Sequence, residues 1–179
     1  VRLGDVAASN RGDSDSGSDE TEPVAKAPSL PLSVSVGAWL LAQHPVVDQV
    51  RVQGLEVATG EPVPSCLNLG RTLADDAARV ALLVVADGTA RRGPGAPGYS
   101  DERSAAVDQV WTSALADGRP DVLAALDPNL ATALMMAGRA PLQVLAGAAL
   151  GPRWKGTLVW GGDPYGVQYA VATWLPHGR

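Results

Sequence analysis

The sequence predicts an α/β fold: a central, mostly parallel sheet with helices on both faces and a C-terminal β-hairpin. Three observations carry the expectation. Val80 to Val85 is an unbroken apolar run rich in Val and Leu, the pattern of a strand buried on both faces. Segments of helical periodicity lie before and after it. Two alternating runs, Trp154 to Trp160 and Gln168 to Trp174, enclose Gly161-Gly162-Asp163-Pro164-Tyr165-Gly166, which reads as a hairpin with a loop longer than two residues.

Composition bounds the rest. The 179 residues suffice for one domain and carry a net charge of −5. The basic residues are dispersed, which argues against a nucleic-acid partner. No apolar stretch approaches the roughly 18 residues of a membrane span. The single cysteine, Cys66, excludes an internal disulfide and suits a reducing compartment. The N-terminus is polar from Arg2 onward, unlike a signal peptide, so a cytoplasmic location is expected. A homo-oligomer is compatible with this composition.

Residues 1–29 read as a disordered acidic segment and 30–176 as a single α/β domain. Ser9 to Glu22 has no apolar residue apart from glycine and offers too little burial to offset the entropy of ordering. Its Arg11-Gly12-Asp13 tripeptide reads as chance within that segment. A helix is expected over 31–43, with Leu32, Val36, Trp39 and Leu40 on one face and Pro45 as its stop. His44 reads as an exposed residue at the helix end. Val46 to Ala58 is strand-like, with Gly54 breaking the alternation. Residues 65–77 read as a short helix carrying Cys66, Leu69 and Leu73 inward. Ser100 or Asp101 can cap a helix to about Asp117, its buried stripe Val107, Val110, Trp111 and Ala114. A helical turn follows over 120–126. Asp127 then caps a helix with Pro128 at its first position, running to Met136. Pro141 opens a further helix to about Leu150, whose Ala146, Gly147, Ala148 and Ala149 permit close packing.

Chemistry-bearing motifs are sparse. No dinucleotide-binding glycine pattern, phosphate loop or nucleophile elbow occurs. Two histidines, His44 and His177, supply no His-rich metal site. Polar density gathers in two loops. Asp87, Thr89, Arg91, Arg92 and Tyr99 follow the central run; Asp163 and Tyr165 lie in the hairpin loop. Ligands of open α/β sheets bind beyond the carboxyl ends of the strands. Paired guanidinium groups match a carboxylate or phosphate. These seven residues are the expected ligand-binding set, around a small anionic or aromatic ligand, with Asp87 available to orient an arginine. No catalytic residue is assigned, and neither a metal nor another cofactor is expected.

The same residues carry a resemblance. Ala86-Asp87-Gly88-Thr89-Ala90-Arg91, then Ala96-Pro97-Gly98-Tyr99 and an amphipathic helix, resembles the LigB-like proteins, the catalytic-subunit family of class III extradiol ring-cleavage dioxygenases. Further support comes from Leu30-Pro31-Leu32-Ser33, Gly37-Ala38-Trp39-Leu40-Leu41, Ala137-Gly138-Arg139-Ala140-Pro141 with Gln143-Val144-Leu145-Ala146-Gly147, and Asp163-Pro164-Tyr165-Gly166-Val167. The closer likeness is to a short actinobacterial branch, with this chain corresponding to the C-terminal part of the family domain. The resemblance implies a central sheet between helices. In active members it implies non-haem Fe(II) on two His and a Glu, with a further His as acid/base. Here the strand-end motif reads Ala90-Arg91 where the family has Ser-His. The family's N-terminal His ligands have no counterpart, and Glu56, Glu61 and Glu102 fall in no family motif. The resulting expectation is a LigB-like protein that has lost Fe(II) ring cleavage and binds a small anion or a protein partner. The alternatives are an active Fe(II) extradiol dioxygenase completed by a further N-terminal segment or subunit, and a purely structural or interaction protein.

Overall fold

A computed structural model describes residues 2–4, 30–45 and 49–178. The chain forms two compact units, Val1–Glu56 and Val57–Arg179. Within the first unit the chain's beginning pairs with residues just ahead of Val57. Strand β1 (Arg2–Gly4) runs antiparallel to β2 (Gly54–Glu56), with Leu3 opposite Leu55. Arg2–Gly4 therefore departs from the disorder expected over 1–29, since strand pairing satisfies backbone groups without needing a large apolar surface. Ser9 to Glu22, with its Arg-Gly-Asp tripeptide, lies outside the described residues.

Helix α1 (Leu32–Ala42) also belongs to the first unit. Its periodicity was legible, but its stripe is not buried: Leu32, Val36, Trp39 and Leu40 are all exposed, and Gly37 is its one buried residue.

The second unit is built from helices and a small antiparallel sheet. Helix α2 (Val63–Asp75) crosses α6 (Arg139–Ala149), and α3 (Arg103–Asp117), α4 (Pro120–Ala124) and α5 (Pro128–Ala133) lie between them in sequence. The main core joins Trp111, Ala114 and Leu115 of α3 to Leu123, Leu126, Ala131, Met136, Leu142 and Ala146. Burying apolar surface of this kind is the main favourable term in folding, worth about 1.5–3 kcal/mol per large side chain. Met136 fills this core as an adaptable apolar group, whereas Met135 is exposed. A second cluster joins Cys66 to Ala140 and Val144. Burial raises the Cys66 thiol pKa, only partly offset by the nearby Arg139 charge, so the group stays a protonated core thiol.

Two buried polar side chains tie the helices to loops. Arg139 Nη1 donates to the Glu61 carbonyl at 2.7 Å and to Gln143 Oε1 at 2.9 Å, and Nη2 donates to the Thr59 carbonyl. Gln143 Nε2 in turn donates to the Ala124 and Leu126 carbonyls at 3.2 and 2.9 Å. Buried polar groups must be satisfied in this way to be tolerated.

The C-terminal hairpin forms as expected. Strands β3 (Trp154–Gly162) and β4 (Tyr169–Pro176) pair antiparallel, with a register shift between Leu158 and Trp160. Ala170, Ala172 and Trp174 face the core. Trp174 Nε1 donates to the Leu115 carbonyl at 2.7 Å, and Trp154 Nε1 to the Ala149 carbonyl at 2.8 Å. Helices cover one face only: Val159, Val171 and Leu175 are exposed on the other.

The central sheet is where expectation and structure part. The described residues contain helices and two antiparallel two-stranded sheets; they contain no parallel pairing. Val80 to Val85 belongs to no strand, and Val80, Leu82 and Leu83 are exposed. The apolar run reports only that the segment suits burial between layers. A strand also needs neighbours, and none of the described strands lies beside it. Among the described residues no helix is long and apolar enough to cross a membrane.

Candidate functional site

The loop after Val85 is anchored by backbone bonds to the hairpin loop. Gly88 N–H donates to the Gln168 carbonyl at 2.8 Å, Gln168 N–H to Thr89 at 3.0 Å, and Arg92 N–H to Gly166 at 3.0 Å. Glycine is required at position 88, because a Cβ there would lie 2.7 Å from the Trp111 ring and 2.8 Å from the Gln168 Cβ. The Asp87 carbonyl accepts from Gly138 N–H at 2.9 Å, and Ala90 N–H donates to Leu134 at 3.1 Å. The base of the loop is thereby fixed to α5, to the start of α6 and to β4.

Beneath the loop lies a buried carboxylate. Asp108, 2% exposed on α3, accepts from Thr89 N–H at 3.1 Å, Thr89 Oγ1 at 2.6 Å and Trp111 Nε1 at 2.8 Å. Arg92 Nε lies 3.7 Å from Asp108 and donates to Asp163 Oδ2 at 2.9 Å. One guanidinium thus bridges the buried carboxylate and the hairpin loop, joining segments far apart in sequence.

Above this network is a cleft of about 280 Å³. Its walls are Arg91 and Arg92 from the loop, Asp101, Glu102 and Ser104 from the start of α3, and Asp163 from the hairpin. Asp101 organises the helix start: its Oδ1 accepts from Arg103 N–H at 3.0 Å, and its carbonyl accepts from Ser104 N–H at 3.0 Å. Side-chain and then backbone hydrogen bonds from Arg103 hold the Asp101 carboxyl down at about 2, so it is ionised at neutral pH. Two buried polar atoms on the cleft wall have no hydrogen-bond partner, Arg91 Nε and Ser104 Oγ. A buried orphan donor costs about 1–3 kcal/mol, so a pair beside one concavity calls for an acceptor to fill it.

The expected site residues divide into three groups. Arg91, Arg92 and Asp163 meet at the cleft. Thr89 is fully buried beneath it, holding Asp108 rather than facing a ligand. Asp87, Tyr99 and Tyr165 do not line it. Tyr99 takes a left-handed backbone, φ 61°, and its ring is 86% exposed; Tyr165 is 75% exposed. The Asp87 carboxylate orients no arginine: Asp163 and Asp108 do that for Arg92. Partial loss of water raises the Asp87 pKa. The Tyr169 phenol is likewise raised, first by desolvation and then by the charges of Asp87 and Tyr165.

Asp108 and Ser104 were missed from sequence. The available signal was phase: Ser104, Asp108, Trp111 and Leu115 share one helix face, so two polar residues sit on a buried stripe. A second concavity, about 410 Å³ between α3, α4 and α5, is walled mainly by apolar groups including Val107, Val110, Val122 and Leu130. Its carboxylates are already engaged, Asp121 by Arg119 and Asp127 by the α5 amides.

Among the described residues no group of three or more His, Cys, Asp or Glu side chains is placed to hold a metal ion. Ala90 and Arg91, which follow Thr89 in the loop, offer neither a metal-ligand side chain nor a general base. His44 follows α1 and His177 follows β4, both exposed. Against protein-family models, curated proteins and solved structures, the chain matches none.

Proposed function

We propose that this chain is a LigB-like protein without Fe(II) ring-cleavage chemistry, and that its Arg91–Ser104 cleft binds a small anion. The observation that carries the binding reading is Arg91. It makes no ion pair among the described residues, and its Nε is buried at the cleft without an acceptor. A guanidinium in that state is complementary to an oxyanion, and each charge-assisted hydrogen bond contributes about 1.5–3 kcal/mol. Arg92 is the contrasting neighbour, already committed to Asp163 and Asp108. In the same reading, Val80 to Val85 is a strand position of the family's parallel sheet that forms its ladder only when strands are supplied beside it. Its exposed apolar side chains support this.

Titration of the full chain with acetate and with methyl phosphate tests the binding reading. At least one should bind saturably, and Arg91→Ala should weaken that binding about tenfold or more with little change in melting. Unfolding of Arg91→Ala would make Arg91 a structural residue instead. The loss of chemistry is tested separately by loading the full chain with Fe(II) under anaerobic conditions. The expected result is no stoichiometric iron and no yellow ring-fission product from catechol; iron retained with catechol turnover would overturn it.

A further inference from the structure

We infer that the ligand of the cleft is a singly charged carboxylate and that the site discriminates against a phosphate dianion. This rests on the anion-binding reading and adds to it the charge and shape of the ligand.

Charge is the first argument. Of the guanidinium groups at the cleft, Arg92 is bound to Asp163 at 2.9 Å and lies 3.7 Å from Asp108. Arg103 is committed to Asp101 at 2.7 Å. Of the two guanidinium groups that line the cleft, Arg91 is the one in no ion pair among the described residues, and Glu102 on the same wall is likewise without one. Arg91 is thus the one lining guanidinium not already bonded to a carboxylate, enough to meet a single negative charge. A second negative charge would find no further unpaired guanidinium on the lining and would face the unpaired Glu102, and like charges disfavour binding.

Shape is the second. The unsatisfied Arg91 atom is Nε, on the side of the guanidinium where Nε–H and an Nη–H form a two-pronged donor. That fork matches the two oxygens of a planar carboxylate. Ser104, 1% exposed, supplies a hydroxyl with no other partner, able to donate to a carboxylate oxygen. Three donors can serve the two oxygens of a carboxylate; for the third oxygen of a tetrahedral dianion the described cleft residues hold no further buried donor without a partner.

The test is amide chemical-shift titration of the full chain at constant ionic strength. The probes are acetate and methyl phosphate at about pH 8, where a phosphate monoester with its second pKa near 6 is a dianion. Acetate should shift the amides of Arg91, Arg92 and Ser100 to Ala105 saturably. Methyl phosphate should bind at least about tenfold more weakly. Ser104→Ala should weaken acetate several-fold, and Glu102→Gln should narrow the gap between the probes by improving methyl phosphate. Glu102→Gln lies away from the buried network and keeps the question open to refutation should Arg91→Ala fail to fold. Methyl phosphate binding as tightly as acetate at these amides would overturn the carboxylate assignment while leaving the anion site intact. Silence with both probes, or acetate shifts indifferent to Arg91→Ala and Ser104→Ala alike, would end both.

Discussion

Asp108 is held from three sides by Thr89 and Trp111 donors and approached by Arg92. Removing its carboxylate would strand two side-chain donors and one backbone amide in a space closed to water. The expected cost of Asp108→Ala is about 3 kcal/mol or more, read as a fall in the urea midpoint with an unchanged slope. Asp108→Asn should cost less, because a side-chain carbonyl still accepts one of the bonds. A change within about 0.5 kcal/mol for Asp108→Ala would show that water satisfies these groups. The same residue marks how far the site was legible. That the two loops meet could be anticipated, since Arg92 and Asp163 are polar, opposite in charge and both follow predicted β segments. The bridge between them depends on Asp108, a residue that reads as a solvated helical carboxylate unless its phase against Trp111 is noticed. The two tyrosines are the converse case: an aromatic in a loop suggests a wall, yet Tyr99 and Tyr165 are both largely exposed.

At the scale of elements, periodicity and capping residues located the helices well. Asp127 Oδ1 caps α5 through the Asn129 and Leu130 amides at 2.7 and 3.0 Å, and Gly118 ends α3 in the left-handed region. The small residues of α6 carry the clearest consequence. A Cβ on Gly147 would collide with the Leu67 carbonyl and lie 2.7 Å from its Cα, and one on Gly70 would collide with the Val144 carbonyl and lie 2.6 Å from the Ala148 amide. Helices α2 and α6 thus touch backbone to backbone. In an isolated helix, Gly→Ala would stabilise by about 0.8–1 kcal/mol. Here both Gly70→Ala and Gly147→Ala should instead destabilise, by about 2–3 kcal/mol, because the opposing atoms are backbone and cannot rotate away. Gly60→Ala, with nothing within 4 Å of its Cβ position, is the control and should leave the thermal midpoint nearly unchanged. Equal behaviour of all three variants would mean that the crossing can open without cost.

For the whole molecule, the unresolved contest is between what Val80 to Val85 is suited to and what it does. Its residues have high strand propensity and no charge. Among the described residues the segment nevertheless pairs with no strand, and Leu83 is 52% exposed. Local sequence can specify an extended apolar segment, but a sheet is a property of several segments at once, and the described strands pair only β1 with β2 and β3 with β4. An unpaired apolar stretch of this kind is a template for association. Leu83→Asp separates the possibilities. With the side chain exposed as it is, the substitution should change unfolding free energy by no more than about 0.5 kcal/mol, and it should reduce concentration-dependent self-association measured by light scattering. Were the segment instead a strand enclosed between layers in the isolated chain, the same carboxylate would be buried without a partner and the loss would reach several kcal/mol. A large fall in the urea midpoint would therefore reject the exposed arrangement, while a small one accompanied by lower scattering would identify Val80 to Val85 as a surface that waits for a neighbouring strand.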